Sequence, residues 1–452
     1  MATKKAQNTP SVDMSANRAS STVEELLLAA LERGDESFET GRYLITFKEG
    51  ASDEGVKSLG VQGRGMRVAD ARDFDDQAAT LESVGDADAV VFSEIGVALI
   101  GGNAAQERSM SAQLEIAGDS PIESIDPEYF VFALSAYENY LQGFAQGPES
   151  EPGEYLRGFL RAAETIARDL GGTRQSQEGG DDEVLVLGAT WGLNACKVPP
   201  STRSGSGIKL AVLDTGMDLG HPDFAGRPVV SQTFVGQPVQ DLHGHGTHCI
   251  GTSCGTKAPA GSTPRYGIGH KAAIFAGKVL TNSGSGSGAG VLAGMNWAIA
   301  NRCPVISMSL GSQSSIQPSY TAAGQAALNN GCLIIAAAGN AGSSTGSPAN
   351  SPTIMSVASL DLNLAPSSFS NFGKIEIAAP GRDVFSSWPR PTRYKTISGT
   401  SMATPHVAGC AALWAETSAS LRGINLWRKL QATARRLPFP ATRVGAGLVQ
   451  AP

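Results

Sequence analysis

Residues 208 to 213 read Ile-Lys-Leu-Ala-Val-Leu, a nearly unbroken apolar run of strand length. A strand with one wet face alternates apolar and polar residues, so an unbroken run means burial on both faces. The theme recurs at Ala273–Val279, Val305–Ser309, Cys332–Ala337 and Thr353–Val357. Between these runs, Gly290–Asn301 and Tyr320–Asn329 carry apolar residues at helical spacing. Strand alternating with helix implies an α/β fold: a central parallel sheet covered on both faces, with ligands at the carboxyl ends of the strands. Sparse charge (17%) and 54 glycines fit a tightly packed enzyme with many loops, not a disordered chain. The net charge of −7 argues against a nucleic-acid partner, which would need a basic face.

Residues that follow the strand runs are therefore the ones to inspect. Asp214 stands directly after the first run, in Leu213-Asp214-Thr215-Gly216. A turn or capping aspartate is an equal reading of that position. Asn340 ends Leu333-Ile334-Ile335-Ala336-Ala337-Ala338-Gly339-Asn340, where an amide either closes a turn or donates to a developing oxyanion. His245 lies in Asp241-Leu242-His243-Gly244-His245-Gly246-Thr247-His248-Cys249. Histidines so spaced could bind metal, but no carboxylate follows in H-E-x-x-H fashion, and the glycines imply close backbone packing. His243 is expected in a surface loop and His248 inside the helix that starts here. Ser401 sits among small residues in Gly399–Gly409, ahead of the apolar Cys410–Trp414. That places it at a helix N-terminus, where free N–H groups favour negative charge. Its hydroxyl is a weak nucleophile until a base takes the proton.

Taken together, Leu213–Gly216, His245–His248, Ala338–Asn340 and Gly399–Pro405 resemble, in order, the signature blocks of the subtilisin-like serine proteases. The resemblance runs from about Trp191 to the end and includes His221-Pro222-Asp223, Ser309-Leu310-Gly311 and Gly445–Val449. His245–Cys249 and Ser368–Gly373 are similar to the proteinase K branch. Four ordered blocks are far more specific than one motif. The resemblance implies a three-layer subtilisin-like fold and a serine endopeptidase acting on peptide or protein substrates. Ser401 would be the nucleophile, His245 the general base and acid, and Asp214 its orienting carboxylate. Asn340 and the Ser401 N–H would form the oxyanion hole. Ser309, Leu310 and Gly311, with Ala337, Ala338 and Gly339, would line the cleft and pair with an extended peptide. Gly346 matches the small residue at the pocket base. With no acid in these walls, large apolar P1 side chains such as Phe or Leu are expected. No cofactor is implied for the chemistry. Asp223 matches a family calcium ligand and Glu376 falls where another member has a calcium-ligating carboxylate. The partner loop is replaced by Gly255–Tyr266, so the ligand set is incomplete and both acids are expected to be surface or capping groups.

Ahead of the catalytic pattern, residues 42–133 read as a small α+β domain with strands at Tyr43–Phe47, Ala89–Phe92, Val97–Ile100 and Tyr129–Ala133 and a helix over Ala104–Ile116. The pattern resembles the family's inhibitory propeptide, and Asp126–Phe130 fits its usual ending. Residues 1–41 are polar with a short helix, started by a capping box at Ser21–Glu24 and stopped at Gly34. Residues 134–183 form a connector with an amphipathic helix near 154–170 and an acidic Gln175–Glu183 tail, and 184–452 form the catalytic domain. Self-cleavage is expected between Phe132 and Glu183, with the N-terminal domain as the enzyme's own partner. An inactive binding relative would lack a catalytic residue, and none is missing; peptide transfer or cyclisation on the same acyl-enzyme remains open. No early apolar run is long enough to span a membrane. No secretory signal is visible in the polar start, so the expected address is cytoplasmic, or secretion by a leaderless route. The six cysteines show no C-x-x-C pairing and read as scattered buried thiols.

Overall fold

The computed structural model describes residues 18–33, 38–62, 66–102, 105, 120–134 and 188–452. The helices expected over Ala104–Ile116 and near 154–170 lie outside the described residues, except for isolated Ala105. In the N-terminal part, strands β1 (Glu39–Phe47), β2 (Val68–Asp70), β3 (Ala89–Phe92), β4 (Val97–Ile100) and β5 (Ile122–Ala133) form a sheet ordered β5-β1-β4-β3-β2. Both outer strands of the expected pattern are longer than their apolar runs, because polar residues such as Glu39, Ser124 and Asp126 also pair across β1 and β5. The alternation of side chains gives this sheet two faces. Ile45, Phe47, Val91, Ala98 and Ile100 pack with Leu59 of helix Ser52–Gln62. Leu44, Val90, Phe92 and Leu99 face the other way and join the same core as Ala289, Ala293, Tyr320 and Ala323 from two helices of the C-terminal part. Helix Val23–Arg33 lies beside β1, and its Val23, Leu26, Leu27 and Ala30 share a core with Phe130 and Phe132 of β5. Its start is a reciprocal cap one residue later than expected: Glu25 N donates to Thr22 Oγ1 and Thr22 N donates to Glu25 Oε2.

Residues 188–452 carry β6 (Lys209–Asp214), β7 (Val229–Thr233), β8 (Ala273–Lys278), β9 (Ser285–Ser287), β10 (Val305–Met308), β11 (Leu310–Gly311), β12 (Leu333–Ala337), β13 (Met355–Leu360) and β14 (Ile377–Pro380). Seven of these form the parallel sheet β14-β13-β12-β10-β6-β8-β7. The unbroken apolar runs have the cause expected of them. Leu210, Val212, Leu333 and Ile335 join one core, while Ala211, Leu213, Ile334 and Ala336 join the other. The run near Thr353 begins later than expected, at Met355. Helix Thr400–Thr417 is buried from Thr400 through Leu413 and packs in the first core with helix His245–Cys254. Among the described residues, no helix is long and apolar enough to cross a membrane.

Candidate active site

The sheet register brings the site together. Leu213 of β6 and Ala336 of β12 both lie beside Met308 of β10, so the residues that follow these strands emerge as neighbours. Asp214 is the last residue of β6, and Asn340 follows β12 by three positions. His245 opens helix His245–Cys254 and Ser401 is the second residue of helix Thr400–Thr417.

His245 Nδ1 meets Asp214 Oδ1 at 2.7 Å, and Thr215 N donates to the same oxygen at 2.7 Å. Both side chains are buried, at 0% and 1% exposure. The imidazole therefore carries its proton on Nδ1 and leaves Nε2 as an acceptor. That Nε2 is buried and has no hydrogen-bond partner. Ser401 Oγ does not donate to it; the hydroxyl donates to Ser309 O at 3.0 Å. Ser309 Oγ in turn donates to Ser401 O at 2.8 Å. Pro405 explains that second bond: it has no N–H to give the carbonyl four residues earlier, so Ser309 supplies the donor from outside the helix.

Asn340 faces both ways. Its Oδ1 accepts from Thr400 N and Thr400 Oγ1, each at 2.8 Å, which fixes the amide. Its Nδ2 donates at 2.8 Å to the carbonyl oxygen of Leu134, at the end of the N-terminal part. The strand leading there occupies the cleft. β5 pairs antiparallel with β11, Phe132 opposite Gly311 and Ala133 opposite Leu310. On its other edge β5 pairs with β9, Phe130 opposite Ser287 and Phe132 opposite Ser285. Leu310 and Gly311 thus pair with β5. Ala337, Ala338 and Gly339 do not; they line the apolar pocket beside Leu134, with Gly346. The second pairing edge, Ser285–Ser287, went unseen because a Gly/Ser run reads as loop. At Gly346 an added Cβ would stand 2.5 Å from Ser312 O, so the pocket base admits no larger residue without movement.

Two further residues hold the Asp214 and His245 loops together. Asp241 Oδ1 accepts from His243 N, Gly244 N and Thr215 Oγ1, and Oδ2 accepts from Thr247 N and Thr247 Oγ1, all between 2.7 and 3.0 Å. Lys278, fully buried on β8, donates to Thr215 O and to Asn282 Oδ1. Burial pushes its ammonium down to about 8, against the pull of Asp241 and Asp214. Neither was assigned a role from sequence; an aspartate just ahead of a helix start was the available signal for Asp241. His243 lies in the loop ahead of the helix, as expected, but is half-buried rather than on the surface, its ring edge-on to His245 at 6.1 Å. Burial and the neighbouring His245 push it down to about 4. His248 is internal, as expected, with Nε2 donating to Val384 O. All six cysteines are buried and free.

The calcium candidates do not fit a metal. Asp223 Oδ2 accepts from Tyr266 Oη at 2.6 Å and Tyr394 Oη at 3.0 Å. Glu376 Oε2 accepts from Lys374 Nζ and Ser356 N, both at 2.7 Å, and from Ser356 Oγ at 2.9 Å. One oxygen of each carboxylate is thus already engaged by protein donors. Asp214, His245 and Cys249 bring ligand atoms within 4.8 Å of one another, and there Asp214 Oδ1 and His245 Nδ1 are bonded to each other.

Comparison with known proteins places this geometry in context. The model of the subtilase family matches residues 205–447, more than half of the chain. The chain is 36% identical over 323 residues to a cuticle-degrading protease of Metarhizium anisopliae, covering 66% of this chain and 77% of that one. It is 41% identical over 254 residues to thermitase of Thermoactinomyces vulgaris, covering 55% and 88%. A solved structure of a cold adapted subtilisin-like serine proteinase aligns with a TM-score of 0.51 at 35% identity, covering 58% of this chain and 98% of that one. Relatives named as a cuticle-degrading protease, alkaline proteases and thermitase contradict the cytoplasmic address expected from the sequence.

Proposed function

This chain belongs to the subtilase family and is a serine endopeptidase, and from that premise we propose that Ser401, His245 and Asp214 carry its chemistry and that residues 18–134 are its own inhibitor. The observation that carries the reading is the Leu134 carbonyl, bonded at 2.8 Å to the side-chain donor that an oxyanion would need. Leu134 enters the pocket as a P1 residue would, which also supports the expectation of large apolar P1 side chains. The bond at risk is then Leu134–Ser135. The connector that follows would begin the mature enzyme.

Attack requires the Ser401 hydroxyl to leave Ser309 O and turn toward His245 Nε2, a rotation about one side-chain bond between staggered wells. His245 Nε2 takes the hydroxyl proton as Oγ bonds to the substrate carbonyl carbon. Asp214 holds the ring and stabilises the imidazolium. The negative oxygen is met by Asn340 Nδ2 and by the Ser401 N–H, which is free at the helix start. As the C–N bond breaks, the imidazolium returns the proton to the departing amine. Water, deprotonated by His245, then attacks the acyl-enzyme carbonyl and releases Ser401. Asp241 and Lys278 act through positioning, by holding the loops that carry the aspartate and histidine.

The test is a serine-directed fluorophosphonate probe on the purified protein, with the labelled peptide mapped by mass spectrometry. Label on Ser401, lost in Ser401→Ala and blocked by an apolar peptide substrate, is the expected result. Label on another residue would overturn the assignment.

A further inference from the structure

All six thiols are buried and free, and those of Cys196 and Cys410 meet. Cys196 caps the C-terminal end of helix Trp191–Ala195, and Cys410 lies on helix Thr400–Thr417, which carries Ser401 near its start. The two positions are about 200 residues apart in sequence. The helices touch along one seam. One turn earlier on each, Gly192 faces His406: an added Cβ at Gly192 would stand 2.3 Å from His406 Nε2. Cys196 N donates to Gly192 O at 3.0 Å, so the cap continues the helical turn. Residues four apart share a helix face, and the two thiols accordingly fall within hydrogen-bonding reach of each other. Both are fully buried in the first core. Residues 450 and 451 lie along the same seam: Ala451 N donates to Cys196 O at 2.8 Å, Gln450 Nε2 to Ala195 O at 3.0 Å, and Trp414 Nε1 to Gln450 O at 2.9 Å.

Other thiols spend their protons elsewhere. Cys249 Sγ donates to Ser401 O at 3.6 Å and Cys332 Sγ to Asn330 O at 3.7 Å. Two thiols already in contact need only side-chain rotation to bring their sulfurs to bonding distance. We propose that Cys196 and Cys410 form a disulfide under oxidising conditions, stapling helix Trp191–Ala195 to the helix that bears Ser401. Each thiol gives up its proton, and together they give up two electrons; a small-molecule disulfide such as oxidised glutathione takes these and leaves as two thiols. Burial, with the Cys410 thiol beside it, pushes the Cys196 thiol well above its ordinary value, so the thiolate that starts exchange is scarce in the finished fold. The bond therefore forms while the chain folds and, once enclosed, resists reductants. This inference does not rest on the catalytic reading, because its readouts are covalent linkage and thermal stability.

The experiment uses the full chain carrying Ser401→Ala, to prevent self-digestion, synthesised in vitro in oxidised or in reduced glutathione. Free thiols are alkylated in denaturant and the peptides mapped by mass spectrometry. Protein made in oxidised glutathione should hold Cys196 and Cys410 in one linked peptide pair, lighter by two hydrogens. It should also melt at least about 4 °C above protein made in reduced glutathione. Cys196→Ala and Cys410→Ala should each abolish that shift, whereas Cys303→Ala/Cys332→Ala should keep it. Reductant added without denaturant should leave the bond intact. The peptide map of the parent decides the matter even where a cysteine variant fails to fold. Cys196 and Cys410 both alkylated after synthesis in oxidised glutathione, a bridge from either to another cysteine, or equal melting of the two preparations would overturn the inference.

Discussion

Asn340 Nδ2 donates to the carbonyl oxygen of Leu134 across 206 positions of sequence, at 2.8 Å. The contact joins the end of a strand in the N-terminal sheet to the residue that follows β12 of the catalytic sheet. An amide whose other end is fixed by Thr400 cannot turn away from that oxygen without breaking two bonds.

Asn340→Ala should therefore lower kcat for an apolar peptide by about 10²–10³ with a smaller change in KM, a magnitude taken from such a donor in a subtilisin. Steady-state kinetics on protein already processed checks this. An unchanged kcat would remove Asn340 from the oxyanion site.

Helix Val23–Arg33 should act as a clamp on the inhibiting strand. Leu26 is fully buried on Phe130 and Phe132, with Val235 of the catalytic part beside it. Gln237 Nε2 also donates to Glu24 Oε1 across the same boundary at 2.8 Å. Leu26→Ala removes apolar contact worth about 2–5 kcal/mol in a core. Activity should appear at least about tenfold sooner after processing than in the parent, since about 1.4 kcal/mol is a factor of ten. A time course with a chromogenic peptide reads this directly; an unaltered lag would contradict the clamp.

Asp241→Asn should damage catalysis through position. The neutral amide keeps only one accepting oxygen, so either the Thr215 or the Thr247 contacts must rearrange. A displacement of about 1 Å costs up to about 10² in rate. We expect kcat to fall more than KM rises and the fluorophosphonate rate to fall in parallel. A loss confined to melting temperature would mean that Asp241 serves the fold alone.

Acid should destabilise the fold through buried neutral histidines. His406 is 1% exposed, with Nδ1 donating to Met402 O, and burial pushes it down to about 4. His248 is likewise pushed down to about 3. Both folded values lie below the unfolded value of about 6.5. The unfolded chain therefore binds more protons in this window, and stability is full above about pH 6.5 and drains as pH falls toward the folded values. For His406 the loss is up to about 3 kcal/mol. His406→Gln, on the Ser401→Ala background, should show a shallower fall in melting temperature between about pH 6.5 and 4.5.

The parallel sheet and the site-bearing strand ends were legible because burial on both faces forces unbroken apolar runs such as those ending at Asp214 and Asn340. The close packing of Gly246 and Gly346 left a mark for the same reason: no side chain fits there. What stayed hidden depended on long-range contact. Ser285–Ser287 is a strand only because β5 lies beside it, and nothing in its composition says so. Asp241 and Lys278 look like ordinary loop and strand charges until Thr215 is seen between them. The serine–histidine bond expected from the motif is replaced by Ser401 Oγ to Ser309 O, a rotamer choice that no sequence pattern encodes.

The most direct test of the account is the N-terminus of the purified protein, read by intact mass and terminal sequencing in the parent and in Ser401→Ala. A parent chain beginning at Ser135 and a Ser401→Ala chain left uncut are the expected results. The same N-terminus in both proteins, or a parent cut far from Leu134, would contradict it.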